Sequence, residues 1–276
     1  MRIGIAGVTG RMGRALLEYG LNSSSSVWRL SVGMGRSIQK MNDFITLYTS
    51  ADRQSRGTIK FTSEFEEFIE SCDVVLDFTA PTFTLLVAHA CAKCNKALVS
   101  GTTGFSEEQY TQLNNLARST RIFLSPNMCI GINILGWLIA KTASMLDTDF
   151  DAEITELHHK HKRDIPSGTA MMLASAITRG RKNTLGIDSN ICVGRNASDD
   201  SQRNSGAIYI SSLRGGGAIG DHSVIFSGNA EIIQIEHRTL SREVFAIGAY
   251  KAAEYLTLQK VGKVYNMSDL LGISNY

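Results

Sequence analysis

Three histidines and two lysines interleave in His158-His159-Lys160-His161-Lys162, and Arg163 follows. The 276-residue chain has only six histidines, so half of them fall within four positions. Histidine titrates near neutral pH, and a histidine cluster among lysines suits proton transfer, anion binding, or both. Pro166-Ser167-Gly168-Thr169 then leads into the helix-like run Ala170–Ile177. A Ser/Gly/Thr helix start offers backbone N–H groups and the positive end of a dipole, a seat for a carboxylate or phosphate. The competing reading is a solvated basic loop ahead of a helix. A metal site built from the three histidines is disfavoured, because neighbouring residues on an extended strand point to opposite faces.

Residues of this kind need a scaffold, and the first forty positions supply one. Arg2-Ile3-Gly4-Ile5-Ala6 reads as a strand, Gly7-Val8-Thr9-Gly10-Arg11-Met12-Gly13 as a glycine-rich turn, and Arg14–Tyr19 as a helix. A GxxGxxG in strand–turn–helix context is a variant of the dinucleotide fingerprint. One glycine makes the tight turn, one admits a pyrophosphate to the backbone, and one lets helix and strand pack. The fingerprint calls for an acidic residue after the second strand to bind the ribose 2′-hydroxyl. Here Trp28–Met34 is followed by Gly35-Arg36-Ser37. Without a carboxylate, and with Arg36 alongside, a 2′-phosphate is accommodated, so NADPH should serve at least as well as NADH.

The same rhythm continues. Asp73–Phe78, Ala97–Ser100 and Arg121–Ser125 read as buried parallel strands, with helices over about 82–93 and 106–119 between them. Alternating βα units predict a doubly wound parallel sheet of Rossmann type. Ligands then sit beyond the carboxyl ends of the strands, where Gly7–Gly13, Phe78–Ala80, Gly101–Thr103 and Ser125–Met128 all lie. Turn chemistry alone is the simpler account of those segments.

Beyond residue 127 the pattern changes. An apolar helix over Ile132–Met145, with Trp137 and Leu138 expected in the core, precedes a strand, Ala152–Leu157, that runs into the histidines. Strand-like runs recur at Ala207–Leu213, Asp221–Ser227 and Ala230–Arg238 without clear helices between them. This predicts an α+β domain with an open mixed sheet. Lys182–Gln202 reads as a polar surface loop, and Gly215-Gly216-Gly217 as a turn. Glu243–Leu256 is expected to be helical.

Composition narrows the function. The chain is 43% hydrophobic and 20% charged, with net charge +2. That balance is ordinary for a globular protein and gives no case for nucleic-acid binding. The longest apolar stretch, Met128–Ala140, is interrupted by Asn133 and falls short of the roughly 20 residues a bilayer needs. Five cysteines without framework spacing, and a strand that begins at residue 2, predict a reduced, cytoplasmic protein with no cleavable leader. Cys91-Ala92-Lys93-Cys94 lies late in a helix, where thiolates are not activated.

Taken in order, several stretches resemble the dihydrodipicolinate reductase family. They are Ala6-Gly7…Gly10-Arg11-Met12-Gly13-Arg14, Asp77-Phe78-Thr79, Gly101-Thr102-Thr103-Gly104-Phe105, Asn127…Gly131-Ile132-Asn133, Glu156–Lys162 and Asp164-Ile165-Pro166-Ser167-Gly168-Thr169-Ala170. The resemblance spans almost the whole chain, more loosely at 37–70 and 180–205. It implies NADPH- or NADH-dependent reduction of a small cyclic dicarboxylate in diaminopimelate and lysine biosynthesis. By resemblance His158 and Lys162 take the acid/base positions, His159 binds substrate, and Gly168 and Thr169 hold a substrate carboxylate. Lys162, crowded by positive charge, is the expected direct donor, with His158 orienting groups or relaying protons. The sequence does not divide those roles. The cofactor would lie on Gly7, Val8, Thr9, Gly10, Arg11, Met12, Arg36, Gly101, Thr102, Thr103, Ser125, Pro126, Asn127 and Met128.

The resemblance also implies a dinucleotide-binding domain of residues 1–127 and 241–276, a substrate and oligomerisation domain of residues 128–240, and a homotetramer. Two departures bear on the cofactor. Gly35 stands where members that accept NADH carry an acidic residue, and Met128 where members often carry Phe. A non-catalytic NAD(P) sensor would keep the glycine loop without the histidine–lysine set. A related aspartate- or homoserine-type dehydrogenase would share only the first domain.

Overall fold

In the computed structural model, residues 1–36, 59–194 and 203–273 are described. The chain divides into two compact units, one of Met1–Met128 with Arg242–Gly272, the other formed chiefly by Cys129–Ser241.

The first unit is a seven-stranded parallel sheet. Its strands are β1 (Arg2–Ala6), β2 (Arg29–Met34), β3 (Lys60–Thr62), β4 (Val74–Asp77), β5 (Ala97–Ser100), β6 (Ile122–Leu124) and β12 (Val264–Tyr265), in the order β12-β6-β5-β4-β1-β2-β3. The chain reverses direction of travel across the sheet between β3 and β4, the switch point of a doubly wound sheet. Strands β4 and β5 are buried along their whole length, as expected where helices cover both faces. Those helices are α1 (Arg11–Asn22), α2 (Phe65–Glu70), α3 (Pro81–Cys94), α4 (Glu107–Leu116), α7 (Glu243–Thr257) and α8 (Met267–Leu271). Pro81 opens α3, where its missing N–H costs nothing. Ser106 and Gln109 form a capping box at α4. Helix α7 returns to this unit and approaches so closely that a Cβ on Gly248 would lie 1.8 Å from the Met128 carbonyl oxygen.

The second unit is a five-stranded mixed sheet, order β11-β10-β7-β9-β8. Here β7 is Asp151–His158, β8 Ile191–Val193, β9 Ile208–Arg214, β10 Asp221–Ser227 and β11 Ile232–Arg238. Strand β7 is parallel to β9 and antiparallel to β10. Its alternating burial, with Ala152, Ile154, Glu156 and His158 inward, marks a sheet with one covered face. Helices α5 (Ile130–Ala143) and α6 (Gly168–Leu185) cover it, pressed together where a Cβ on Gly180 would lie 2.3 Å from the Ala140 carbonyl oxygen.

Two expectations change here. Leu138 is 40% exposed. The buried stripe of α5 is Ile132, Leu135, Gly136, Ile139, Ala140 and Ala143, an i, i+3, i+4 pattern that leaves Leu138 outside. Residues 182–194 are not one loop. Helix α6 runs on to a left-handed C-cap at Gly186, held by Arg181, whose buried guanidinium donates to the carbonyls of Gly206 and Phe150. Strand β8 then pairs with β9. The rest of the expected loop lies outside the described residues. Among the described residues, no helix is long and apolar enough to cross a membrane.

Candidate functional site

The second unit gathers the proton-active residues by strand register. Glu156 and His158 are two apart on β7 and so share its covered face. Antiparallel β10 sets His222 opposite Glu156, and parallel β9 sets Arg214 opposite His158. His158 Nδ1 meets Glu156 Oε2. Glu156 Oε1 accepts from Arg214 Nη2 at 2.9 Å and from the Ser167 N–H at 3.2 Å. The His222 ring stands edge-on to His158, centroids 5.1 Å apart, and its Nε2 lies 3.3 Å from Ser167 Oγ. One serine thus ties the histidine pair to the start of α6, which it also caps by accepting from the Ala170 N–H at 3.1 Å.

Burial sets the electrostatics. It pushes His158 below its ordinary value, with help from Lys162 and Arg214 and against the pull of Glu156. It pushes His222 down to about 4. For Glu156 burial acts upward, but Arg214, Ser212 and His158 outweigh it and leave the carboxyl below its usual range. The centre is therefore a buried anion on a guanidinium, facing two imidazoles held neutral at pH 7.

The loop after β7 is pinned by the glycine turn at 215–217. The Gly215 N–H donates to the His158 carbonyl, and the Lys160 N–H to the Gly216 carbonyl. That turn fits the expectation, with Gly216 at φ +52°. Lys162 is half-buried and pairs with Asp164 at 2.7 Å. Asp164 in turn offers its carbonyl to Arg214 at 2.6 Å. The His159 and His161 rings lie tilted with centroids 6.4 Å apart, and the buried His159 Nδ1 has no partner among the described residues. Gly168 opens α6 with nothing within 4 Å of where a Cβ would stand. The cationic Lys162, the α6 start at Gly168 and Thr169, and the unfilled His159 Nδ1 suit a small dianionic ligand. Glu156, His158 and His222 have ligand atoms within 4.8 Å of one another, a spacing a cation could also bridge. Arg214 already lies against that carboxylate, which opposes a second cation there.

The sequence names His158, His159, Lys162, Gly168 and Thr169 as candidates but not Glu156, Arg214 and His222, which the structure sets around His158. Glu156 had a signal, since a carboxylate two residues before a histidine on a strand must share its face. His222 and Arg214 depend on long-range register, which spacing does not reveal.

The first unit holds the glycine loop. Gly7 is left-handed at φ +67°, and a Cβ on Gly13 would lie 2.3 Å from the Gly7 carbonyl oxygen, so the loop closes only around glycine. Val8 is buried and its N–H donates to the Met34 carbonyl at 2.9 Å, tying the loop to β2. Gly10 caps α1 without a side chain, Arg11 is exposed, and Thr9 and Met12 are half-buried. A bare helix start behind a glycine turn fits a pyrophosphate. Arg36 is exposed just past β2.

The other expected cofactor residues divide. Thr103 and Pro126 are exposed, and Gly101 and Asn127 half-buried. Ser125 Oγ donates to the Asn127 carbonyl, and Met128 is buried. Gly101 has a packing reason to be glycine, because a Cβ there would lie 2.1 Å from the Phe78 ring. The Thr102 hydroxyl is engaged inside, bonded to Asp77 at 3.1 Å and to the Thr79 N–H at 3.1 Å. With Thr79, Thr84 and Ser100 it surrounds the buried Asp77 carboxyl, whose affinity for a proton burial raises.

Comparison with known proteins covers both units. A family model for the N-terminus of dihydrodipicolinate reductase matches residues 1–128, and one for its C-terminus matches residues 131–271. The 4-hydroxy-tetrahydrodipicolinate reductase of Psychrobacter arcticus is 34% identical over 100% of this chain and 96% of its own. That of Nitrosospira multiformis is 36% identical over 99% and 98%. Among solved structures, a dipicolinate-bound dihydrodipicolinate reductase from Paenisporosarcina sp. TG-14 superposes with a TM-score of 0.71, at 24% identity, over 96% of this chain and 97% of that one.

Proposed function

This chain belongs to the dihydrodipicolinate reductase family, and from that premise we propose that it is a 4-hydroxy-tetrahydrodipicolinate reductase whose acid–base residues are His158 and Lys162. The family is one of NAD(P)H-dependent oxidoreductases, and the cofactor supplies the hydride when bound. Gly7–Met12 and the α1 start would hold its pyrophosphate, with Arg36, Gly101–Thr103 and Ser125–Met128 further along the strand ends. Thr102 would contribute backbone, since its hydroxyl is engaged with Asp77.

The remaining work falls to the second unit. His159, Gly168 and Thr169 bind a small dicarboxylate, with Lys162 adding positive charge. Reduction at one ring carbon leaves electron density that a proton must quench at a neighbouring carbon, so a held acid is required. Lys162 supplies that proton, and His158 serves the proton traffic around it. The observation that carries this reading is the convergence of His158 and the α6 start on one buried carboxylate, Glu156, with the Lys162 charge near enough to act on His158. A dipicolinate-bound structure of a similar fold agrees with a planar dicarboxylate ligand.

Two finer points belong to the same proposal. The protein works in the cytoplasm as a homotetramer, assembled through the uncovered face of the second unit's sheet. Leu213 and Ile232 lie on that face at 57% and 65% exposure, apolar surface that association would cover. Light scattering on the full chain measures this. The activity is tested with the freshly generated product of the preceding condensation, following NADPH and NADH absorbance in parallel. We expect oxidation of both, NADPH at least as fast. Oxidation of neither rejects the function, and a clear preference for NADH rejects the role given to Gly35 and Arg36.

A further inference from the structure

His158 has two ring nitrogens, and the structure treats them differently. Nδ1 meets Glu156 Oε2, and the Glu156 side chain is fully enclosed. An ionised carboxylate only accepts, so the ring nitrogen facing it must carry the proton. Glu156 is kept ionised by Arg214 Nη2 and the Ser167 N–H on its other oxygen. The ring is fixed in place by the edge-on His222 on one side. On another it fits against Gly220, where a Cβ would stand 3.0 Å from His158 Nε2. The charged and titratable groups around His158 are Glu156 on β7, Arg214 on β9, His222 on β10, and Lys162 in the following loop.

Resting on the reductase reading, we infer that Glu156 is a positioning residue that locks His158 in its Nδ1–H tautomer, so that Nε2 is left as a proton acceptor. The neutral imidazole then has no proton on Nε2 to give. It can take one there and pass it on, which makes it a relay. The part His158 plays follows from which of its nitrogens faces the buried anion.

Glu156→Gln tests this, because the amide must choose an orientation. Arg214 and the Ser167 N–H both donate, and they hold the amide oxygen. The amide NH2 is then turned toward His158 Nδ1 and forces the proton onto Nε2. The measurement is the nitrogen NMR of 15N-histidine-labelled full chain near pH 7, with His158 assigned by its loss in His158→Asn. Wild type should show Nδ1 protonated and Nε2 bare, and Glu156→Gln the reverse. In the reductase assay kcat should fall at least about tenfold, part of the roughly 10²- to 10⁴-fold that a positioned acid or base contributes. KM should stay within about twofold, because ground-state binding is untouched.

A wild-type spectrum with the proton on Nε2 overturns the inference even if Glu156→Gln fails to fold. So does a folded Glu156→Gln with unchanged tautomer or wild-type kcat. A merely structural role would lower the melting temperature without reversing the two nitrogen signals. The spectrum is read without turnover, so an inactive wild type would reject the reductase reading and leave the tautomer question to be answered separately.

Discussion

Lys162 stands in the turn that follows β7, its N–H donating to the His159 carbonyl at 3.0 Å and its ammonium to Asp164 at 2.7 Å. Both contacts are local, so removing the side chain disturbs little beyond the loop. Lys162→Ala should therefore leave the melting temperature within about 1 °C, as for a substitution away from the core worth no more than ~0.5 kcal/mol. NADPH affinity should be unchanged, since the glycine loop belongs to the other unit. Turnover should fall by about 10²-fold or more, the loss expected when a positioned acid is deleted. Turnover close to wild type would reject Lys162 as the donor. These residues were legible because the chemistry is written in consecutive positions, and a histidine–lysine run is rare whatever the fold. Glu156 was only half legible, since its face follows from alternation but its partner Arg214 does not. His222 was not legible at all, because a lone histidine on a strand acquires meaning only from the antiparallel register that sets it opposite Glu156.

At the scale of elements, two helix starts carry the anion-binding argument, and their glycines should respond in opposite ways to a methyl group. On Gly13 the new Cβ meets the Gly7 carbonyl oxygen at 2.3 Å and Val8 Cα at 2.7 Å, both backbone, so nothing can rotate away. Gly13→Ala should cost about 1–3 kcal/mol, the range for overpacking, and weaken NADPH binding. On Gly168 the methyl meets nothing within 4 Å. Gly168→Ala should fold as well as wild type, since alanine is the better helix former, yet raise KM for the dicarboxylate. Thermal melts with steady-state kinetics on both variants check the contrast. Equal losses of stability, or an unchanged KM in Gly168→Ala, would contradict it. Most elements could be placed from sequence because periodicity and turn residues mark them locally. Strand β8 could not, because three residues of Ile-Cys-Val are too short to show a period and are strand only by pairing with β9. Leu138 was misread because an almost wholly apolar helix hides which of its faces is the buried one.

At the scale of the whole molecule, the buried histidines make stability depend on pH with a definite sign. His222 is pushed to about 4 in the folded chain, by burial first and then by the charges of His158, His237 and Lys162, against the pull of Glu156. In the unfolded chain it titrates near an ordinary value of about 6.5. Between those two values the unfolded state binds a proton that the folded state refuses, so stability rises with pH there and is lost on acidification. His158 and His237 are lowered as well, also by burial first, and act in the same direction. At 1.36 kcal/mol for each pH unit of difference, His222 alone removes at most about 3 kcal/mol as pH falls from about 6.5 to 4. The carboxylates Glu156, Asp73 and Asp164 are lowered by their cationic partners, and their contribution is lost only below the ordinary carboxylate range. The two windows are thus separable. Denaturant unfolding at steps from pH 7.5 to 4.5 should show a falling midpoint for the wild type, already under way by pH 6. His222→Gln cannot take up the proton, keeps a polar group near Ser167, and should flatten much of that slope while leaving the residue due to His158 and His237. Parallel slopes for the two proteins would show that His222 titrates alike folded and unfolded, and that the closed face of the second unit's sheet is wetter than its packing implies.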